Sequence, residues 1–73
     1  MATISKSNNP MINNIASRMY SQVLMTIATY NDFIAWMEEN YTEEIDNFEI
    51  LKNKGENVSF KDLSNNAWNK FNA

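Results

Sequence analysis

Pro10 and Gly55 are the only proline and the only glycine in this chain of 73 residues. Everything between them lacks the two residue types that interrupt regular backbone, and its apolar side chains recur at helical spacing. The sequence therefore predicts an all-α protein with no sheet.

The first helix has a marked start. Asn9 stands at the N-cap and Pro10 at the first helical position, where a missing N–H costs nothing. Stepping about 100° per residue from Met11 to Ala28 gathers Ile12, Ile15, Ala16, Met19, Tyr20, Val23, Leu24 and Ile27 on one arc. Asn14, Ser17, Arg18, Ser21, Gln22 and Met25 fall opposite, a face with a single charge. A second helix is expected over Asp32 to Asn53. Phe33, Ile34, Met37, Tyr41, Ile45, Phe48 and Leu51 lie inward, with Glu38, Glu39, Glu43, Asp46 and Glu49 opposite. Acids lead, and Lys52, Lys54 and Gly55 follow, the order that complements a helix dipole and then stops the helix. Thr42 followed by Glu43 and Glu44 also reads as a cap with an acidic first turn. A break between Asn40 and Thr42 is therefore the weaker alternative to one continuous second helix.

Between the two, Thr29-Tyr30-Asn31-Asp32 offers capping residues but no helix breaker. With Asn31 or Asp32 as cap, the helices form an antiparallel hairpin. The steady spacing of Val23, Ile27, Tyr30, Ile34 and Met37 leaves a second option, one helix from Pro10 to Asn53 whose stripe is covered by another chain. Beyond Gly55, Ser59 and Asp62 have capping-box spacing with Asp in place of Glu. They open a short helix whose Phe60, Leu63, Ala67, Trp68 and Phe71 are too aromatic to leave in water. The expected architecture is a small three-helix fold, a helical hairpin plus a short C-terminal helix. It forms one domain over residues 10–73, preceded by a flexible N-terminal arm, residues 1–9.

A single core in so short a chain rarely supplies more than about 3–5 kcal/mol, and small domains commonly add disulfides, a metal or a partner subunit. With no Cys and no His, disulfides, structural zinc, c-type haem, thiol chemistry and histidine base catalysis are excluded. No cofactor and no metal are expected, and self-association or docking on a partner is left as the supplement. An apolar fraction of 44% against 21% charged residues separates the chain from disordered sequences. No apolar run approaches a membrane span, and no signal peptide is visible, so no membrane contact and a cytoplasmic setting are expected.

The charges are unevenly spread. Residues 32 to 56 hold eight acids and two bases, whereas residues 1 to 31 hold Lys6, Arg18 and no acid. Six scattered bases make no patch for phosphates, so direct nucleic-acid binding is not expected. The acidic row lacks the glycine-turned loop of a calcium site and the histidines of a di-iron site. Its serines have no histidine to activate them, and three short helices offer little cleft, so no enzyme is expected. Trp36 and Ile50 fall off the second helix's inward arc on a common side, separated by Glu43. Either the C-terminal helix covers them within the monomer, or they anchor a partner protein beside a charged rim. The candidate partner-binding residues are thus Trp36, Glu39, Glu43, Asp46 and Ile50. The leading expectation is a small acidic protein that binds, and inhibits or redirects, another protein. The excess of Asn and Ile suits an AT-rich genome such as a bacteriophage's. The alternatives are a self-assembling scaffold subunit, or an acidic mimic of nucleic acid that blocks a basic groove.

Overall fold

A computed structural model describes residues 3 to 73. It contains four helices: α1 Pro10–Gln22, α2 Ile27–Asn40, α3 Thr42–Asn53 and α4 Phe60–Phe71. Among the described residues there is no strand, and no helix is long and apolar enough to cross a membrane. The all-α expectation holds, but the helix count is four rather than three. The two differences have separate physical causes.

The first helix stops at Gln22 instead of running to Ala28. Asn9 caps its start as expected, its side chain accepting from the Met11 N–H at 3.0 Å. At its end Val23 turns to extended backbone, with its N–H still bonded to the Met19 carbonyl. Thr26, not Asn31 or Asp32, caps the next helix, its Oγ1 accepting from the Thr29 N–H at 3.1 Å. Continuing α1 would have left Met25 on the polar face. The turn at residues 23 to 26 instead carries Met25 into the core at 8% exposure and gives Leu24 entirely to solvent. Asn31 lies inside α2, where it serves a different purpose. Its Oδ1 accepts from the Ser5 N–H and its Nδ2 donates to the Thr3 carbonyl, at 2.6 and 2.8 Å.

The second expected helix is broken at Tyr41, whose φ of −127° and ψ of 2° end α2 and begin α3. Backbone hydrogen bonds run up to this residue from both sides, Tyr41 N–H to the Met37 carbonyl and Ile45 N–H to the Tyr41 carbonyl. Tyr41 thus forms a kink rather than a loop. Its ring is buried at 2% exposure, and its hydroxyl donates to the Leu63 carbonyl of α4 at 3.1 Å. The kink also sets Glu43 and Glu44 in the first turn of a new helix, where acids are favoured. The single helix from Pro10 to Asn53 is not formed.

Gly55, at a φ of +82°, closes α3 in a Schellman motif. The Gly55 N–H reaches the Lys52 carbonyl and the Glu56 N–H reaches the Leu51 carbonyl, the paired bonds that satisfy the last orphan carbonyls. Ser59 then caps α4, accepting from the Asp62 N–H at 3.3 Å.

The core centres on Phe33 of α2, which is fully buried. The Trp68 ring meets it edge-on at 5.3 Å, Phe71 tilts against it at 5.1 Å, and Trp36 stacks on it at 6.3 Å. Ile12, Ile15, Ala16 and Met19 supply the wall from α1, and Leu63 and Ala67 the wall from α4. α1, α2 and α4 pack on one another, whereas α3 packs chiefly on α2. The molecule is accordingly long, 43 × 22 × 20 Å. Ahead of α1, Ser7 is buried. Its Oγ donates to Glu38 Oε2 at 3.1 Å, and its backbone exchanges two 2.8 Å hydrogen bonds with the Asn13 amide.

Candidate partner surface

Of the twelve residues of α3, only Ile45 and Phe48 are buried. These two sit three apart on the side facing the body, and the rest of the helix forms a ridge. Along its outward side Glu43, Asp46, Glu49 and Ile50 are exposed. Glu43, Glu44, Asp46, Asn47 and Ile50 line one hollow of about 340 Å³. Ile50 is 51% exposed and Leu51 39% exposed, in a tip where every residue from 49 to 57 faces solvent.

Three of the five residues singled out from the sequence, Glu43, Asp46 and Ile50, therefore share one hollow. Glu39 is exposed on α2, two residues before the kink. Trp36 is half-buried. It stacks on Tyr41 at 5.9 Å and meets Phe71 of α4 at 5.7 Å, so it presents only part of its ring outward. The kink at Tyr41 lies between Trp36 and Ile50, and the continuous stripe of a straight second helix does not form. α4 covers Trp36 but not Ile50.

Glu44 is the residue of this surface with the richest surroundings, and the sequence singled it out only as one acid of a row. Its Oε1 pairs with Lys70 Nζ at 3.5 Å, the one ion pair among the described residues. Its Oε2 is shielded from solvent without a hydrogen-bond partner. Lys70 Nζ also lies 5.5 Å from the centre of the Tyr41 ring, within cation–π reach. Burial, reinforced by the charge of Glu44, pushes the Tyr41 phenol above its ordinary pKa. A signal for this arrangement exists in the sequence only as the helical spacing of Phe60, Leu63, Ala67 and Phe71, which says that α4 docks but not where Lys70 lands. Among the described residues no three acidic side chains converge as a metal-ligand set.

No family model matches this chain, and neither a curated protein nor a solved structure matches it.

Proposed function

We propose that this protein acts by binding another protein through the α3 ridge, without catalysing a reaction. The observation that carries this reading is a helix anchored by two residues whose remaining surface combines exposed carboxylates, of which only Glu44 is ion-paired among the described residues, with exposed Ile50 and Leu51. Folding alone rewards apolar side chains for leaving water, and it gives no reason to hold Ile50 and Leu51 outside. An apolar anchor ringed by charge is the composition of a contact surface, with the anchor supplying affinity and the carboxylates steering approach.

The test is affinity capture from host lysate with the wild-type protein and with two variants, Ile50→Asp and Glu43→Lys/Asp46→Lys. Ile50→Asp is expected to keep the wild-type thermal melt, because the position is exposed, and the charge reversal to lower it slightly, because Glu43 stands in the acidic first turn of α3. Ile50→Asp is expected to release a partner that the wild type retains, and the charge reversal to slow its association. Capture that is indifferent to both variants rules out the ridge.

A second reading is favoured by a different patch. Ile4, Tyr20 and Leu24 are exposed apolar residues. Ile4 and Tyr20 line a hollow of about 280 Å³ with Ser17, Ser21 and Tyr30. No residue from Met19 to Asn31 carries a charge, so two copies of an acidic chain can meet here without opposing carboxylates. On this reading the protein is a self-assembling subunit.

A further inference from the structure

The side of α3 turned toward α4 holds a second hollow, about 380 Å³, and it exists because α3 and α4 do not pack along their lengths. Its apolar lining is Phe48 and Leu51 from α3, Val58 from the connecting segment and Leu63 from α4. Its charged lining is Glu44 and Asp62, with no base. We propose that this groove docks a basic amphipathic helix of a partner protein, with an apolar side chain seated between Leu51 and Leu63 and a Lys or Arg reaching Glu44 and Asp62.

Three observations select that occupant. The groove lies between two helices that do not pack along their lengths, an opening that an amphipathic helix can fill by laying its apolar face inward. The charge is one-sided, since both charged lining residues are carboxylates and Glu43 and Asp46 stand just across the ridge. A cationic segment therefore meets complementary charge on both flanks, and an acidic one is repelled. Finally, the Glu44 side chain lines the groove and is 41% exposed, so its carboxylate is within reach of a guanidinium or ammonium entering there. Lys70 pairs with its Oε1, so Glu44 is oriented before the partner arrives. A second copy of this chain fits less well, because its own exposed helices in the ridge region are acidic.

This inference rests on the protein-binding reading above and places the partner's helix in a named groove. The probe is a fluorescein-labelled amphipathic Leu/Lys peptide of about four helical turns, compared with a Lys/Ser peptide of equal charge and no apolar face. Binding is followed by anisotropy, and the site is mapped by amide chemical shifts on the full chain. The Leu/Lys peptide is expected to bind at least about tenfold more tightly than the Lys/Ser peptide, equivalent to about 1.4 kcal/mol. Its shifts should centre on Leu51, Val58 and Leu63. Leu51→Asn, which removes an exposed wall of the groove without adding charge, is expected to weaken binding by a similar factor at an unchanged melt. Leu24→Asn, at an exposed apolar position outside the lining of the groove, should not.

Equal binding of the two peptides, or shifts spread along Glu38 to Glu49, would mean that only the acidic field is sensed and would overturn the groove. Shifts in the groove on concentrating the protein alone would give it to a second copy instead. Should Leu51→Asn be silent while Ile50→Asp still releases a captured partner, the ridge stands and the groove falls. Loss of neither, with no peptide bound, removes both.

Discussion

Tyr41 does more than any other single residue to shape this molecule. It ends one helix and starts the next, fills the space beneath Trp36, and spends its hydroxyl proton on the Leu63 carbonyl of α4. Folding favours its neutral form. A group whose folded pKa is raised contributes its stability fully below the unfolded pKa, about 10 for tyrosine, and loses it as pH rises through the higher folded value. The protein is therefore expected to weaken above about pH 10, in part because the phenolate can no longer donate to Leu63. Tyr41→Phe should cost about 0.5–1.5 kcal/mol at neutral pH, the usual net worth of such a hydrogen bond, and should flatten the alkaline decline. Urea titrations of both proteins at neutral and alkaline pH measure the two effects together. A parallel decline in the variant would assign the alkaline weakness to other groups. Tyr41 was legible as a core position from the spacing Met37, Tyr41, Ile45. The break at this position was legible only as the weaker alternative, from Thr42 followed by Glu43 and Glu44, because what favours it is the Leu63 carbonyl arriving from a helix more than twenty residues away. Leu24 and Met25 show the same limit in miniature. Helical stepping puts Leu24 in and Met25 out, and a turn that begins at Val23 reverses both.

At the scale of elements, local chemistry proved readable where a cap has a distinctive partner and ambiguous where several capping residues crowd together. Asn9 with Pro10, Gly55 after Lys52 and Lys54, and Ser59 three residues before Asp62 all mark observed ends. The start of α2 was misplaced because Thr26, Thr29, Asn31 and Asp32 each qualify, and only packing chooses among them. The choice can be tested. Thr26→Ala removes the side chain that accepts from the Thr29 N–H and is expected to cost about 1 kcal/mol. Asn31→Ala leaves the cap intact and removes the two bonds that hold Thr3 and Ser5. It should change global stability little while making the segment before α1 more sensitive to limited proteolysis. Melts and digestion time courses of the two variants should thus move in opposite order. A larger stability loss for Asn31→Ala would mean that the cap lies at residue 31 after all. The acidic row and Ile50 were legible as a candidate surface for a simpler reason. Both are properties of the amphipathic pattern of α3, which survives the kink because it begins afresh at Thr42. Leu51 was assigned inward, and its exposure follows from α3 continuing past Phe48 beyond the body of α2.

At the scale of the whole molecule the question is whether one chain closes its own core. Among the described residues fourteen apolar ones are buried, drawn from all four helices, the turn at Met25 and the kink at Tyr41. Each helix contributes at least two of them, so every helix has part of its apolar face in a core within its own chain. The face of α1 with a single charge stays largely in solvent, with Asn14, Ser17, Ser21 and Gln22 exposed, while its apolar face meets α2 and α4. A core closed in this way predicts a monomer. Light scattering should return a mass of 8.5 kDa across a hundredfold range of concentration, and the thermal midpoint should not depend on concentration, because no assembly is linked to folding. The exposed patch of Ile4, Tyr20 and Leu24 supplies the contrary outcome. A mass of twice the monomer that rises with concentration, and that Leu24→Asp returns to one chain without altering the melt, would move the self-assembling reading ahead of the ridge. The substitution separates the two readings because Leu24 touches no part of the core. Any effect it has on mass must pass through a contact between molecules.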